Sequence, residues 1–163
     1  MRVLRIGVVL LAVTALLAGS QAGAQLADKK GLTLAAARTL AAAAEAEATK
    51  NNWKMVIAIV DDGGHLLYLE RMDEVQIGSI RVAIDKARSA AQFKRPTKVF
   101  EDAVAGGRNA LLGLHGAVPI EGGVPIMSDG KMIGAIGASG GTAPQDGQVA
   151  KAGVDALPKA MGR

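Results

Sequence analysis

The pattern of apolar and polar positions along the chain changes period several times, and each change marks an element. From Leu34 to about Lys50 the sequence "LAAARTLAAAAEAEATK" is rich in alanine, the best helix former. Leu34, Ala37, Ala41, Ala44 and Ala48 recur at spacings of three and four, which predicts a helix with these residues on one face. Thr33 stands where an N-cap belongs, and Asn51-Asn52 ends the run. The period then shortens. Val56 to Val60 is a continuous apolar, largely β-branched run, "DDGG" follows, and His65 to Arg71 resumes an extended pattern. The two segments read as a hairpin. Its first strand is apolar on both faces, so it is expected to be central and covered.

Between Gln76 and Gln92 the spacings of three and four return at Ile77, Ile80, Ile84, Ala87 and Ala91, the mark of a long amphipathic helix. Pro96 ends it. Thr97 to Leu114 reads as one or two short helices broken at Gly106-Gly107. Three strands are expected next, Ala117 to Glu121, Val124 to Ser128 and Lys131 to Ser139, with turns at Gly122-Gly123 and Asp129-Gly130. A last helix opens near Thr142 to Asp146 and carries Val149, Ala152, Gly153 and Ala156 inward. This order is that of an α+β fold, not of a βαβ alternation. The expectation is one antiparallel sheet of about five strands flanked by helices, with no repeat and no second domain.

The glycine-dense stretch "GGVPIMSDGKMIGAIGASGG" fits this sheet better than a phosphate loop, because no Gly-Lys-Ser/Thr ending follows it. Gly134 and Gly137 fall inside a strand, where a missing side chain lets a helix or a ligand approach closely.

The ends and the composition narrow the function. Arg2 and Arg5, the apolar stretch "IGVVLLAVTALLAG" and Ala22-Gly23-Ala24 before Gln25 follow the three-part grammar of a secretory signal peptide. Residues 1–24 are therefore expected to be a leader, and 25–163 a single domain, periplasmic or secreted. Ser20 stands where a lipoprotein signal would need a cysteine. Removing the leader leaves 139 residues and lowers the formal charge from +4 to +2. That mild balance, with one tryptophan and one tyrosine, carries no nucleic-acid footprint. The mature stretch has no second apolar run long enough to span a membrane. With no cysteine in the chain, thiolate metal sites, covalent haem attachment and a cysteine nucleophile are excluded.

His65, beside the hairpin turn, reads either as a metal or haem-iron ligand or as a solvated turn histidine. His115 in "GLHGAVPI" has the same two readings. Met72, Met127 and Met132 are candidate thioether ligands or plain packing. Arg71 in "ERMD" suits a carboxylate or propionate, or an ion pair with Asp73 or Asp85. Asp85 has Arg81 and Arg88 within one helical turn, which predicts a salt-bridge ladder beside Lys86. No Ser-His-Asp order and no paired-carboxylate motif is present.

Four segments, "VDDGGHLLYLERMD", "GSIRVAIDKARSAAQFKRPT", "GGVPI" and "IGAIGASGGTAPQDGQVAKAG", in this order from Leu32 to about Leu157, resemble the GlcG/HbpS family of haem-binding or haem-degrading domains. The resemblance implies a profilin-like or roadblock-like α+β fold that forms homo-oligomers, often octamers. For exported members it implies non-covalent haem binding beside a membrane sensor protein. Other members are associated with glycolate use or appended to corrinoid adenosyltransferases. By the same resemblance His65 is the first candidate axial ligand, and Arg71 and Lys86 are candidate propionate contacts. At His115 the family commonly carries proline.

The leading expectation is an exported haem-binding protein that stores, shields or senses haem. The alternative is an enzyme acting on a hydroxy or keto acid, with Arg71 or the "SGG" backbone holding the anion and Asp73, Asp85 or His65 as general base. Haem degradation is a third reading.

Overall fold

The computed structural model describes residues 28–162, and the expected leader lies outside the described residues. The elements run α1 (Leu34–Lys50), β1 (Val56–Asp61), β2 (Leu66–Arg71), α2 (Ser79–Phe93), α3 (Lys98–Ala105), a 3-10 turn (Asn109–Gly113), β3 (Gly123–Ser128), β4 (Lys131–Ser139), α4 (Ala143–Asp155) and the short α5 (Leu157–Ala160). The four strands form one antiparallel sheet in the order β2-β1-β4-β3. The α+β class and the central position of β1 are as the pattern predicts.

Alternation along β1 builds two apolar layers. Ile57 and Ile59 point to one face, where Leu40, Ala41 and Ala44 of α1 and Val149 and Ala150 of α4 close over them. Val56, Ala58 and Val60 point to the other, which α2 covers with Ala83, Ala87 and Ala90. Val56 to Val60 are all fully buried. Each such Ile or Val side chain contributes about 1.5–3 kcal/mol by leaving water.

Thr33 caps α1 as expected, its Oγ1 accepting from the Ala36 N–H at 3.2 Å. Leu34 is exposed, however, and Leu40 takes the inward place. The helix expected from Gln76 begins at Ser79, leaving Ile77 on the surface.

Residues 117–121 form no strand, so the sheet has four strands among the described residues. Two of their backbone donors go to side chains, Val118 N–H to Ser89 Oγ at 3.0 Å and Glu121 N–H to Glu101 Oε2 at 2.5 Å, while the Ala117 N–H turns back to the Leu114 carbonyl at 3.0 Å. Pro119 offers no N–H at all. Gly122-Gly123 is likewise no hairpin turn. Gly123 already belongs to β3, opposite Gly137, and Thr97 clamps it by donating to its carbonyl at 3.0 Å and accepting from its N–H at 2.9 Å.

That Gly123-Gly137 pair sets the spacing between α2 and the sheet. A Cβ on Gly137 would lie 2.1 Å from the Ala83 carbonyl oxygen, and one on Gly123 would lie 2.3 Å from that of Lys86. The helix backbone therefore rests directly on strand backbone. Gly137→Ala is expected to lower unfolding free energy by about 1–3 kcal/mol through overpacking, read as a lower urea midpoint. Gly31→Ala, at an open position, should stay within about 0.5 kcal/mol, and equal effects at both sites would refute the close-approach argument.

Candidate functional site

Antiparallel pairing of β1 with β4, Asp61 opposite Gly134, brings the tips of both hairpins to the same end of the sheet. At the first tip the Asp61 carboxylate organises the turn. Its Oδ1 accepts from the backbone N–H groups of Gly63 and His65, both at 2.9 Å, an arrangement that Asp adopts readily in turns. Gly64 has φ of +83°, and its carbonyl accepts from Arg88 Nε of α2 at 3.3 Å. The turn is thereby tied to α2. His65 is exposed, its ring folded over Gly63, and its imidazole makes no hydrogen bond among the described residues.

At the second tip Asp129 and Gly130 both have positive φ, +48° and +73°, as a two-residue type I′ hairpin requires. Just inside it the register slips: Ile126 pairs with Gly134 but Met127 with Met132. Ile133 is the extra residue of a β-bulge, and bulges re-aim the side chains around them. Met132 accordingly packs towards Val60, Ala87 and Ala91 on the α2 side, while Ile133 joins the opposite layer. Two clefts adjoin here and share Lys131 and Met132. One, of about 550 Å³, is lined by Lys29, Lys30 and Ser128. The other, of about 380 Å³, is lined by Asp62, Lys94, Met127 and Gly130. Lys29 is ion-paired with Asp62, and Lys30 with Asp129 at 2.5 Å.

The residues singled out from the sequence do not gather in one place. Arg71 ends β2 at the opposite end of the sheet from His65, about 20 Å away by strand rise, and it is exposed. Arg71, Asp73 and His65 therefore do not converge on one substrate. His115 is exposed in the loop after the 3-10 turn. The neighbouring Gly116 faces Gln92 and Phe93 at the C-terminal end of α2. The Asp85 ladder forms as predicted, with Arg81 Nε at 3.0 Å and Arg88 at 3.9 Å. Met72 serves packing, its sulfur accepting from the Met55 N–H at 3.4 Å.

Lys86 points inward. Its side chain is 1% exposed, with Nζ 2.6 Å from Asp146 Oδ2 and 3.3 Å from the Ala138 carbonyl. The other Asp146 oxygen accepts from the Gly141 N–H at 3.0 Å. Burial pushes the Asp146 carboxyl above the usual range, opposed by the bond and charge of Lys86 and by backbone N–H groups at the start of α4. In the fold as described, the donors of Lys86 are engaged internally. The Glu121 carboxyl lies over Gly147 beside this pair, and burial raises it too. Sequence reasoning missed Asp146 as the partner of Lys86 because 60 residues separate them. It also missed the lysines of the hairpin end, which carry no motif.

The comparisons with known proteins agree on one family. Residues 32–155 match the family model described as "Haem degrading protein HbpS-like". Protein GlcG of Escherichia coli (strain K12) is 46% identical over 103 residues, covering 63% of this chain and 77% of GlcG. The crystal structure of a double mutant of Streptomyces reticuli HbpS superposes with a TM-score of 0.74 at 30% identity, over 86% of this chain and 98% of that one. A crystal structure of PduOC in complex with haem gives 0.72 at 30% identity, over 78% and 95%.

The buried pair makes the sharpest mutational expectation at this stage. Lys86→Met leaves the Asp146 carboxylate buried without its cation and should cost about 3–5 kcal/mol of unfolding free energy. Lys86→Met/Asp146→Leu removes both charges and should recover a large part of that loss. A double mutant whose loss equals the sum of the two single losses would show the groups to be uncoupled.

Proposed function

The chain belongs to the HbpS-like family, and from that premise we propose that it binds haem without covalent attachment at the hairpin end of its sheet, as an exported protein that stores, shields or senses haem. The observation that carries the proposal is His65: an Asp61-organised turn holds an exposed imidazole with neither ring nitrogen bonded among the described residues. A single such nitrogen suffices for an iron that brings its own macrocycle. Among the described residues no three His, Asp or Glu side chains gather around a common metal position, so the donor set suits such a group better than a bare ion. His65 itself lines neither cleft, but the two clefts at the same end of the sheet, one of them lined by Asp62 of the same turn, offer what an amphipathic ring with carboxylates needs, thioethers of Met127 and Met132 and ammonium groups. The haem complex of PduOC, a relative of the same fold, supports the ligand class.

Titration of haem into the purified protein should give a saturable Soret shift, and His65→Ala should weaken it at least about tenfold, the equivalent of about 1.4 kcal/mol. A free-haem spectrum at every ratio would sink the reading. An unchanged titration in His65→Ala, with loss in His115→Ala, would move the ligand to His115.

Export belongs to the same proposal and rests on the leader grammar of residues 1–24. Protein recovered from the periplasm or medium should begin at Gln25 by N-terminal sequencing. Full-length protein confined to the cytosol would remove export from the reading.

A further inference from the structure

We propose that Lys94 and Lys131 form a two-cation clamp for the carboxylates of the bound ligand, so that the site selects porphyrins with free propionates over neutral esters. The inference rests on the haem reading and adds what holds the ring's acidic edge.

Both side chains line the same cleft, together with Met127, Met132, Gly130 and the carboxylate-bearing Asp62. The flanking cations are already engaged, Lys29 by Asp62 and Lys30 by Asp129. Lys94 and Lys131 have no ion-pair or hydrogen-bond partner among the described residues, so they keep their charge for a ligand.

The backbone fixes each lysine independently. Lys94 ends α2 in a left-handed conformation, φ +52°, at a position where helices usually place glycine. A lysine kept in that strained geometry, with its side chain on a cleft, is the kind of outlier that functional sites hold. Lys131 follows the tight Asp129-Gly130 turn and pairs with Ser128, which sets its direction. The same cleft carries two thioethers and a glycine with nothing within 4 Å of its missing side chain. Its surface is mixed, apolar thioether beside ammonium groups. It fits a flat apolar body bearing two carboxylates, held by charge-assisted hydrogen bonds.

The test uses metal-free protoporphyrin IX and its dimethyl ester, which separate carboxylate recognition from iron ligation. The wild-type protein should bind the diacid about tenfold more tightly than the diester, as expected for two partly exposed charge contacts. Lys94→Asn/Lys131→Gln should lose that preference while leaving diester affinity unchanged; asparagine tolerates the left-handed backbone, and circular dichroism checks the fold. His65→Ala should keep the preference. If the double variant discriminates as well as wild type while haem still saturates the protein, the clamp is wrong and the haem reading stands. If neither porphyrin nor haem binds, both fall together.

Discussion

The interaction on which the architecture depends is the buried contact between Lys86 and Asp146. An ammonium and a carboxylate both out of water are tolerable only if each satisfies the other, so α2 and α4 must meet across the edge of the sheet at one defined point. Gly122 makes room there: a side chain at this position would crowd Lys86 Nζ at 2.8 Å and the Ala138 carbonyl at 2.7 Å. The path of the chain into β3, the seat of α2 on Gly123 and Gly137, and the first turn of α4 all meet at that one pairing. Such a pair fixes position more than it adds stability, since an apolar replacement of both partners is often energetically neutral.

Seating α2 at Lys86, midway along the helix, has effects further along it. The helix lies along β4; Arg88, two residues on, reaches the Gly64 carbonyl, and Lys94 at the C-terminal end reaches the cleft beside Met132. The hairpin end is therefore aimed by a rigid rod pinned elsewhere. Bulges in both hairpins, near Val60 and near Met127, finish the arrangement locally. The buried pair is a matter of positioning, and the exposed end is where a ligand can be met.

Much of this was legible in the sequence because local patterns encode it. A continuous apolar run on both faces marked β1 as central, spacings of three and four placed α1 and α2, and Gly137 was read correctly as a site of close approach. What escaped is non-local. Residues 117–121 look like a strand by composition, but Ser89 and Glu101 capture the donors of Val118 and Glu121, and neither is near in sequence. Lys86 within "AIDKA" reads in sequence only as a neighbour of the ladder of Arg81, Asp85 and Arg88 and, by the resemblance, as a candidate propionate contact. Its inward turn depends on an aspartate 60 residues away. His65 could be placed at a hairpin tip from "DDGGHL", but the lysines beside it are scattered from Lys29 to Lys131 and only the folded sheet assembles them.

The strand order has a consequence for how the molecule comes into being. β1 and β2 are made early, yet the second neighbour of β1 is β4, whose residues 131–139 lie near the end of the chain. Until that strand arrives, Val56 to Val60 lack a neighbour on one edge, and Lys86 has no counterion. Pairing over such separations is slow because a long loop must close before any contact rewards it. The edge of β1 that β4 covers therefore closes late in folding, when residues 131–139 join it and β1 becomes an interior strand of the sheet.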